Sequence, residues 1–233
     1  ILLSLIFILV EVLIFLSGER ASFFFNTLAA VYIILMIKDF KKIRLFSFLI
    51  SIVVIILVSS IDNSAKKRIV NETISQMGLT SEKKYVFSPV HESHYISAYR
   101  MFLDNKILGI GVRNFRNFCN EERYKLSERS CTTHPHNTYV QILSETGLIG
   151  FIFITSIFIF FITMSLKHIL GVIFKNKYYF NDFEICLLSA ILISLWPFVP
   201  TGNFLNNWVS IVYYFPVGFL LWSLNKKETL QHN

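Results

Sequence analysis

Six long apolar runs constrain this chain more than any other feature of its sequence. They cover roughly residues 1–17, 21–37, 45–61, 147–166, 185–200 and 208–224. A helix needs about 20 apolar residues to cross a hydrocarbon core about 30 Å thick, so each run is short to typical for a membrane span. Backbone polar groups in lipid must bond internally, and runs this long form helices rather than barrel strands. The sequence therefore predicts an all-α, polytopic transmembrane bundle with about six helices.

Composition argues against a soluble protein. Hydrophobic residues make up 54% of the 233 residues and charged residues only 16%, whereas soluble proteins average about 25% charged residues. The net charge of +7 is divided between short loops and one long loop. It therefore does not indicate a nucleic-acid partner.

Basic residues in the short loops indicate an orientation. They are Lys38, Lys41, Lys42 and Arg44 after the second run, Lys167, Lys175 and Lys177 after the fourth, and Lys226 and Lys227 after the sixth. If every run crosses once, these loops share one side, which the positive-inside rule makes cytoplasmic. The long segment between the third and fourth runs then lies on the opposite, external side.

The chain divides into three parts on this reading. Residues 1–61 are expected to form three transmembrane helices, residues 62–144 an external loop, and residues 145–233 three further helices with a short cytoplasmic tail. The first run lacks the basic segment and small-residue cleavage site of a signal peptide. Because the chain begins with Ile1 in an apolar segment, we interpret it as the C-terminal part of a longer protein.

The external loop is far longer than an ordinary connection, and loops of this size are usually functional or fold on their own. Residues 66–78 and 93–105 both have the pattern of short amphipathic helices. In the second, Tyr95, Tyr99 and Phe102 share one face at helical spacing. We expect a partly helical loop, which could be a lid over the membrane mouth or a simple packing unit.

Two of the three cysteines, Cys119 and Cys131, lie in the loop. A disulfide between them is expected if the loop lies in an oxidising compartment. A metal site that adds His134 and His136 is an alternative, although zinc ligands usually come in tighter pairs. Free thiols are the third possibility. Cys186 lies inside the fifth run and is interpreted as a small apolar residue.

A polar segment at residues 134–137 immediately precedes the fourth run. His136 lies at the water-facing start of a helix that begins around Asn137 or Thr138, and a neutral imidazole there can act as a general base near neutral pH. Asn137 could cap the helix with its side-chain oxygen or hold the His136 ring. Glu145, two turns further on, could orient a partner or be solvated.

The spacing of this segment is specific. His136-Asn137, nine residues, and Gly147-x-x-Gly150 resemble the signature of the bacterial O-antigen ligase family, which includes related O-antigen polymerases. A Ser-Gly-x-Arg helix start at residues 17–20, a Gly-x-Gly loop at residues 109–111 and the final helix pair around residues 196–208 add to the resemblance. Family members have about a dozen transmembrane helices, so the chain looks like the second half.

The resemblance implies a GT-C-like membrane glycosyltransferase that needs no metal and no cofactor. Its expected partners are an undecaprenyl-diphosphate-linked glycan donor, a lipid A-core or glycan acceptor, and membrane lipid. The implied reaction moves the glycan to an acceptor hydroxyl at the periplasmic face of the bacterial inner membrane. His136 is the expected base, with Asn137 and Glu145 as further substrate-site candidates.

Arg20 is the expected diphosphate ligand. It lies at the external end of the second run, where a snorkelling anchor is the alternative explanation, and its guanidinium can bind phosphate in bidentate fashion. Arg116 and Arg100 are loop candidates for the same task, with Arg113 weaker. Glu11, near the middle of the first run, is costly in lipid and could pair with a buried Arg or Lys from the missing half of the protein.

Three other functions remain open at this stage. An O-antigen polymerase would share the chemistry but would lengthen a lipid-linked glycan. A small-solute or anion transporter would place its site at the membrane midplane on broken helices, where this sequence has few ionisable residues. A membrane scaffold without catalytic activity is the third.

Overall fold

Helices form at all six apolar runs, which confirms the predicted all-α architecture. The computed structural model describes residues 1–61, 63–79, 82 and 84–232. In chain order the elements are α1 (Leu2–Ser17), α2 (Arg20–Met36), α3 (Lys41–Ile61), α4 (Asn63–Lys66), a π-helical turn (Lys67–Asn71), α5 (Glu72–Gln76), α6 (Pro89–Asp104), α7 (Phe115–Phe118), α8 (Thr138–Lys175), α9 (Asp182–Ser194) and α10 (Asn207–His232). The predicted domain boundary at residue 62 lies outside the described residues.

Three of these helices are long and apolar enough to cross a membrane, namely α3, α8 and the segment Asn207–Lys226 of α10. Helices α1 and α2 are apolar but shorter, with 16 and 17 residues. Helix α9 has 13 residues, about 20 Å at 1.5 Å per residue. It ends before the predicted limit near residue 200 because Pro197 and Pro200 cannot continue a helix. Six separate crossings remain a prediction.

The helices pack as a bundle with an apolar exterior. Helix α1 packs mainly against α3, α2 against α9, and α9 against α10. The largest buried cluster includes Tyr139, Ile142, Leu188 and Ile191, from α8 and α9. Large aliphatic and aromatic side chains cover the outer faces. In water such a surface would form large exposed apolar patches, so it fits contact with lipid chains.

Helix α8 changes direction at Gly147, whose φ of 65° and ψ of −159° interrupt the helical geometry. Only glycine adopts such a conformation without cost. The preceding turns carry polar side chains, and the following turns are apolar. The break lets the loop backbone bond to the helix: Gly111 N–H donates to the Glu145 carbonyl at 3.0 Å, and Leu148 N–H to the Lys106 carbonyl at 2.8 Å.

The long segment between α3 and α8 contains both predicted amphipathic helices. The first is the continuous helical stretch of α4, the π-helical turn and α5, which overlaps residues 66–78. The second is α6, which begins earlier than predicted because Ser88 caps it by accepting a hydrogen bond from His91 N–H at 3.2 Å. Its buried face includes Ser93, His94 and Ala98. Of the predicted aromatic face, Tyr99 is 53% exposed, whereas Tyr95 and Phe102 are partly buried.

The loop has its own small core. Met101, Phe115, Cys119 and Tyr124 are buried together there. Helix α6 packs on α8, which places its histidine-bearing face beside the residues that precede α8. The loop therefore covers the polar end of α8 as a packed unit.

Candidate active site

His136 lies in a segment that is fixed on both sides. Its φ of 56° is in the left-handed region, and its carbonyl accepts a hydrogen bond from Thr201 N–H at 2.9 Å. Asn137 caps α8, because its Oδ1 accepts from Tyr139 N–H at 3.0 Å and Val140 N–H at 3.1 Å. Its Nδ2 donates to the Pro197 carbonyl at 2.8 Å. Of the two roles considered for Asn137, the structure supports the cap.

Three further histidines surround His136. Its ring centroid lies 4.2 Å from that of His134, 5.4 Å from that of His94 and 5.7 Å from that of His91. His94 and His134 are buried, with 4% and 8% exposure. We call His91, His94, His134 and His136 the histidine cluster. Sequence analysis named His134 only as a possible metal ligand and missed His91 and His94, although their i, i+3 spacing on one helix is a usable signal.

All four imidazoles of the histidine cluster are held neutral. Burial is the largest cause and lowers the pKa of each ring. Nearby positive charge lowers it further, so the pKa of His91 and of His134 falls to about 4. The Thr201 carbonyl partly opposes the effect at His134. At neutral pH His136 therefore offers an uncharged nitrogen, the form that a general base requires.

Arg20 lies beside the histidine cluster. Its guanidinium donates to Gln76 Oε1 at 2.9 Å and is 3.4 Å from Thr73 Oγ1. It lines a cavity of about 380 Å³ together with His91 and Pro200. The Arg20 charge contributes to the lowered pKa of His91. Arg20 and His91 line one cavity, and His136 lies next to His91, with ring centroids 5.7 Å apart.

Arg68 is a second cation at this cavity, and sequence analysis did not name it. Its side chain packs over Gly18, where an added Cβ would come within 2.7 Å of Arg68 Cδ. Its guanidinium lies 3.6 Å from the Glu19 carboxylate, and both side chains are largely exposed. Because an exposed ion pair of this kind is weak, Arg68 remains available to a ligand in the cavity.

The other loop arginines occupy different positions. Arg100 donates to the Lys125 carbonyl at 2.8 Å and holds the loop. Arg113 donates twice to the Leu205 carbonyl, at 2.9 and 3.1 Å. Arg116 is an exposed residue of α7, near enough to His134 for its charge to affect that ring. Of the predicted loop arginines, the structure places Arg116 nearest the histidine cluster.

Glu145 is buried away from the cavity. One carboxylate oxygen accepts from Phe115 N–H at 3.1 Å, and the other accepts from Gln141 Nε2 at 3.2 Å. Gln141 also donates to Asn203 Oδ1 at 2.7 Å. Both carboxylate oxygens are thus occupied by the protein itself, and the geometry gives Glu145 the task of joining α7 to α8.

Cys119 and Cys131 form a disulfide with Cα atoms 4.8 Å apart, within the usual range for such a bond. This decides between the three sequence alternatives, because the two sulfurs are not free to bind a metal. Within the described ranges no group of three His, Cys, Asp or Glu side chains is arranged to hold a metal ion. Cys186 is a free, exposed thiol on α9.

The family model described as O-antigen ligase matches residues 3–155. This range includes Arg20, the histidine cluster, the Gly109-x-Gly111 loop and Gly147-x-x-Gly150. No curated protein matches the chain significantly. No solved structure does so either. Because the family model covers more than half of the sequence, the chain belongs to the O-antigen ligase family.

Proposed function

We propose that this protein is a membrane glycosyltransferase that moves an O-antigen glycan from undecaprenyl diphosphate to a hydroxyl of the lipid A core. Membership of the O-antigen ligase family supports a membrane glycan-processing function in general. The apolar helices support a location in the membrane. We further propose the identity of the donor, the identity of the acceptor and the roles of the site residues.

One observation carries it: an uncharged His136 packs against His91, and His91 shares a cavity with Arg20. Sugar transfer from a lipid diphosphate needs a base for the acceptor hydroxyl and positive charge for the leaving group. Arg20 and Arg68 supply the charge, and their guanidinium groups can bind phosphate oxygens in bidentate fashion. The Gln76 bond fixes Arg20 in place before substrate arrives.

The proposed reaction is a single displacement. His136 removes the proton of the acceptor hydroxyl while that oxygen attacks the anomeric carbon. The bond between the anomeric carbon and the diphosphate oxygen breaks, and its electron pair stays on the diphosphate. Arg20 and Arg68 stabilise the charge that develops there. The anomeric configuration inverts, and no step requires a metal or a cofactor.

The proposed location is the bacterial inner membrane with the loop in the periplasm. The basic residues of the short loops favour that orientation. The Cys119–Cys131 disulfide supports an oxidising compartment for the loop. The site then opens on the side where lipid-linked glycans and the lipid A core are both accessible.

The test is complementation of a host that lacks its own ligase with the full-length gene. Wild type and His136→Ala are compared at matched membrane levels, with lipopolysaccharide banding on a gel as the readout. We expect the wild type to restore the O-antigen ladder and His136→Ala to fail. Lengthened lipid-linked chains without capped core would replace the ligase by a polymerase. A full ladder from His136→Ala would overturn the assignment of the base.

A further inference from the structure

The α9–α10 connection, residues 195–206, is bonded to the start of α8 at several points. The Tyr139 hydroxyl donates to the Leu195 carbonyl at 2.7 Å. Further along, Gln141 Nε2 donates to Asn203 Oδ1 at 2.7 Å. Both α8 side chains are buried, so these bonds hold the connection firmly beside the first turns of α8.

Thr201, in the middle of this connection, contacts three alternate residues at the start of α8. Its N–H donates to the His136 carbonyl at 2.9 Å. Its hydroxyl oxygen lies 3.1 Å from the Thr138 hydroxyl oxygen. Its carbonyl is close enough to the His134 ring to raise the pKa of that ring. Thr138 and Thr201 are both buried, so their hydroxyl groups bond in a place largely closed to water.

His136 has a backbone conformation that needs such support. Its φ of 56° lies in the left-handed region, which is unfavourable for a residue with a Cβ. Such a conformation persists only where surrounding contacts hold it, and it is common at functional sites. Thr201 N–H holds the His136 carbonyl, and the Pro197 carbonyl holds the next residue by accepting from Asn137 Nδ2 at 2.8 Å. These two anchors both come from the α9–α10 connection.

The same connection forms part of the wall of the cavity that Arg20 lines. Val199 and Pro200 both face this cavity, and Thr201 is the next residue in the chain. A shift of Thr201 would therefore move His136 relative to the cavity wall. The connection joins the proposed base to the proposed anion site.

We propose that Thr201 is a positioning residue that holds His136 in the orientation required by the reaction. The inference rests on the proposed function. Thr201 itself transfers no proton and binds no substrate in this role. Its N–H fixes the His136 backbone, and its hydroxyl bond to Thr138 fixes Thr201 in turn. The O-antigen ligase match ends at residue 155, so Thr201 lies outside the matched range.

The test measures turnover by full-length protein in membranes, with an undecaprenyl-diphosphate-linked glycan and lipopolysaccharide that lacks O-antigen as substrates. Thr201→Val keeps the shape of the side chain and removes its hydroxyl. We expect kcat to fall about tenfold, because a displacement of about 1 Å can cost about 100-fold in rate. The KM for the donor should not change, because Gln76 holds Arg20 independently. Thr201→Ser keeps the hydroxyl and should recover most of the wild-type kcat.

Thr138→Val removes the same hydrogen bond from the side of α8. It should lower kcat by a factor similar to that of Thr201→Val. The double variant should be no slower than either single variant, because the two hydroxyls share one bond and their effects are not independent. Losses that multiply in the double variant would show two separate effects and overturn the proposal.

Tyr32→Phe is the matched control for a lost hydroxyl pair. The Tyr32 hydroxyl oxygen lies 2.8 Å from Ser165 Oγ, and Ser165 is in the part of α8 far beyond Gly147. Tyr32→Phe and Thr201→Val should lower the unfolding temperature in detergent by similar amounts, because each loses one hydrogen bond. Only Thr201→Val should lose kcat. Equal losses of kcat in both would show a general structural effect and overturn the positioning role.

The remaining outcomes separate the positioning role from the underlying function. Wild-type kcat in Thr201→Val and Thr138→Val, with His136→Ala inactive, would remove the positioning role and leave the proposed function intact. Full activity in His136→Ala would overturn the proposed function itself.

Discussion

At the scale of single residues, the site depends on the contrast between neutral imidazoles and permanent guanidinium charge. Burial keeps His136 and its neighbours uncharged, whereas Arg20 is positioned by Gln76. Neutral imidazoles and the Arg20 guanidinium can therefore lie near each other without charge repulsion. The arrangement suits a reaction that takes up a proton beside a developing diphosphate charge.

Arginine substitutions test the anion site. We expect Arg20→Ala to reduce turnover by about 100-fold and Arg20→Lys to recover only part of it, because lysine lacks the bidentate geometry. Arg68→Ala should raise the KM for the donor about tenfold. Arg123→Ala is the matched control: Arg123 pairs with Glu121 at 2.7 Å in the loop and should stay within about twofold of wild type. Turnover of the lipid-linked donor is the measurement, and equal losses in Arg20→Ala and Arg123→Ala would contradict the assignment.

The histidine cluster predicts a pH dependence of stability. Because the folded-state pKa of His134 is about 4 and the unfolded value is about 6.5, the unfolded chain binds more protons between these values. Stability should therefore fall as pH drops through this window. For buried His134 the loss of unfolding free energy is on the order of 3 kcal/mol. Thermal unfolding in detergent at several pH values measures it.

A His134→Gln variant supplies the control for this prediction. Glutamine does not titrate, so the variant should lose less stability than the wild type between pH 6.5 and 4. If the stability of the two proteins changed equally with pH, His134 would not be the cause of the effect.

At the scale of elements, the glycines of the family signature join the loop to α8. An added Cβ at Gly109, whose φ is +68°, would meet the Glu145 backbone. An added Cβ at Gly147 would meet the Ile107 carbonyl. This close approach sets the position of α7 and of the loop relative to the residues before α8. This contact explains why positions 109 and 147 need glycine.

Substitution of Gly109 tests this junction. Gly109→Ala should destabilise the protein by about 2 kcal/mol or more, since left-handed strain and a backbone clash add together. Gly218→Ala is the control, because nothing lies within 4 Å of an added Cβ there. It should be neutral or stabilising by up to about 1 kcal/mol. Unfolding midpoints in detergent give the comparison, and similar midpoints for both variants would contradict the account.

Sequence patterns predicted the positions of the helices better than the tertiary contacts between them. Apolar periodicity located all six main helices and both loop helices, and the cap at Asn137 followed from local chemistry. The buried face of α6 was not predictable, because the aromatic stripe with Tyr99 and the face with His94 are both plausible until α8 is placed. His91, His94 and Arg68 were missed for the same reason. Glu145 looked available, but its partners Phe115 and Gln141 come from tertiary packing.

At the scale of the whole molecule, the bundle and the loop have separate tasks. The apolar helices place the protein in lipid, and the disulfide-linked loop assembles the histidine cluster at the end of α8. Arg20 belongs to the bundle, so the site forms where the two parts meet. This division predicts that the loop and the basic ends of the helices lie on opposite sides of the membrane.

Labelling with a membrane-impermeant maleimide tests that topology. In a Cys186→Ser background, Glu128→Cys should react in intact spheroplasts, because the Glu128 side chain is 90% exposed in the loop. Lys226→Cys, at the other end of α10, should react only after lysis. The reverse pattern would invert the proposed orientation and move the site to the cytoplasmic side.

The most direct test of the central claim is transfer by purified full-length protein. The substrates are an undecaprenyl-diphosphate-linked glycan and lipopolysaccharide without O-antigen, and the products are capped acceptor and free undecaprenyl diphosphate. We predict transfer by the wild type and by Arg123→Ala, and a loss of about 100-fold or more in His136→Ala, as expected when a general base is removed. Transfer by His136→Ala at the wild-type rate would contradict the account.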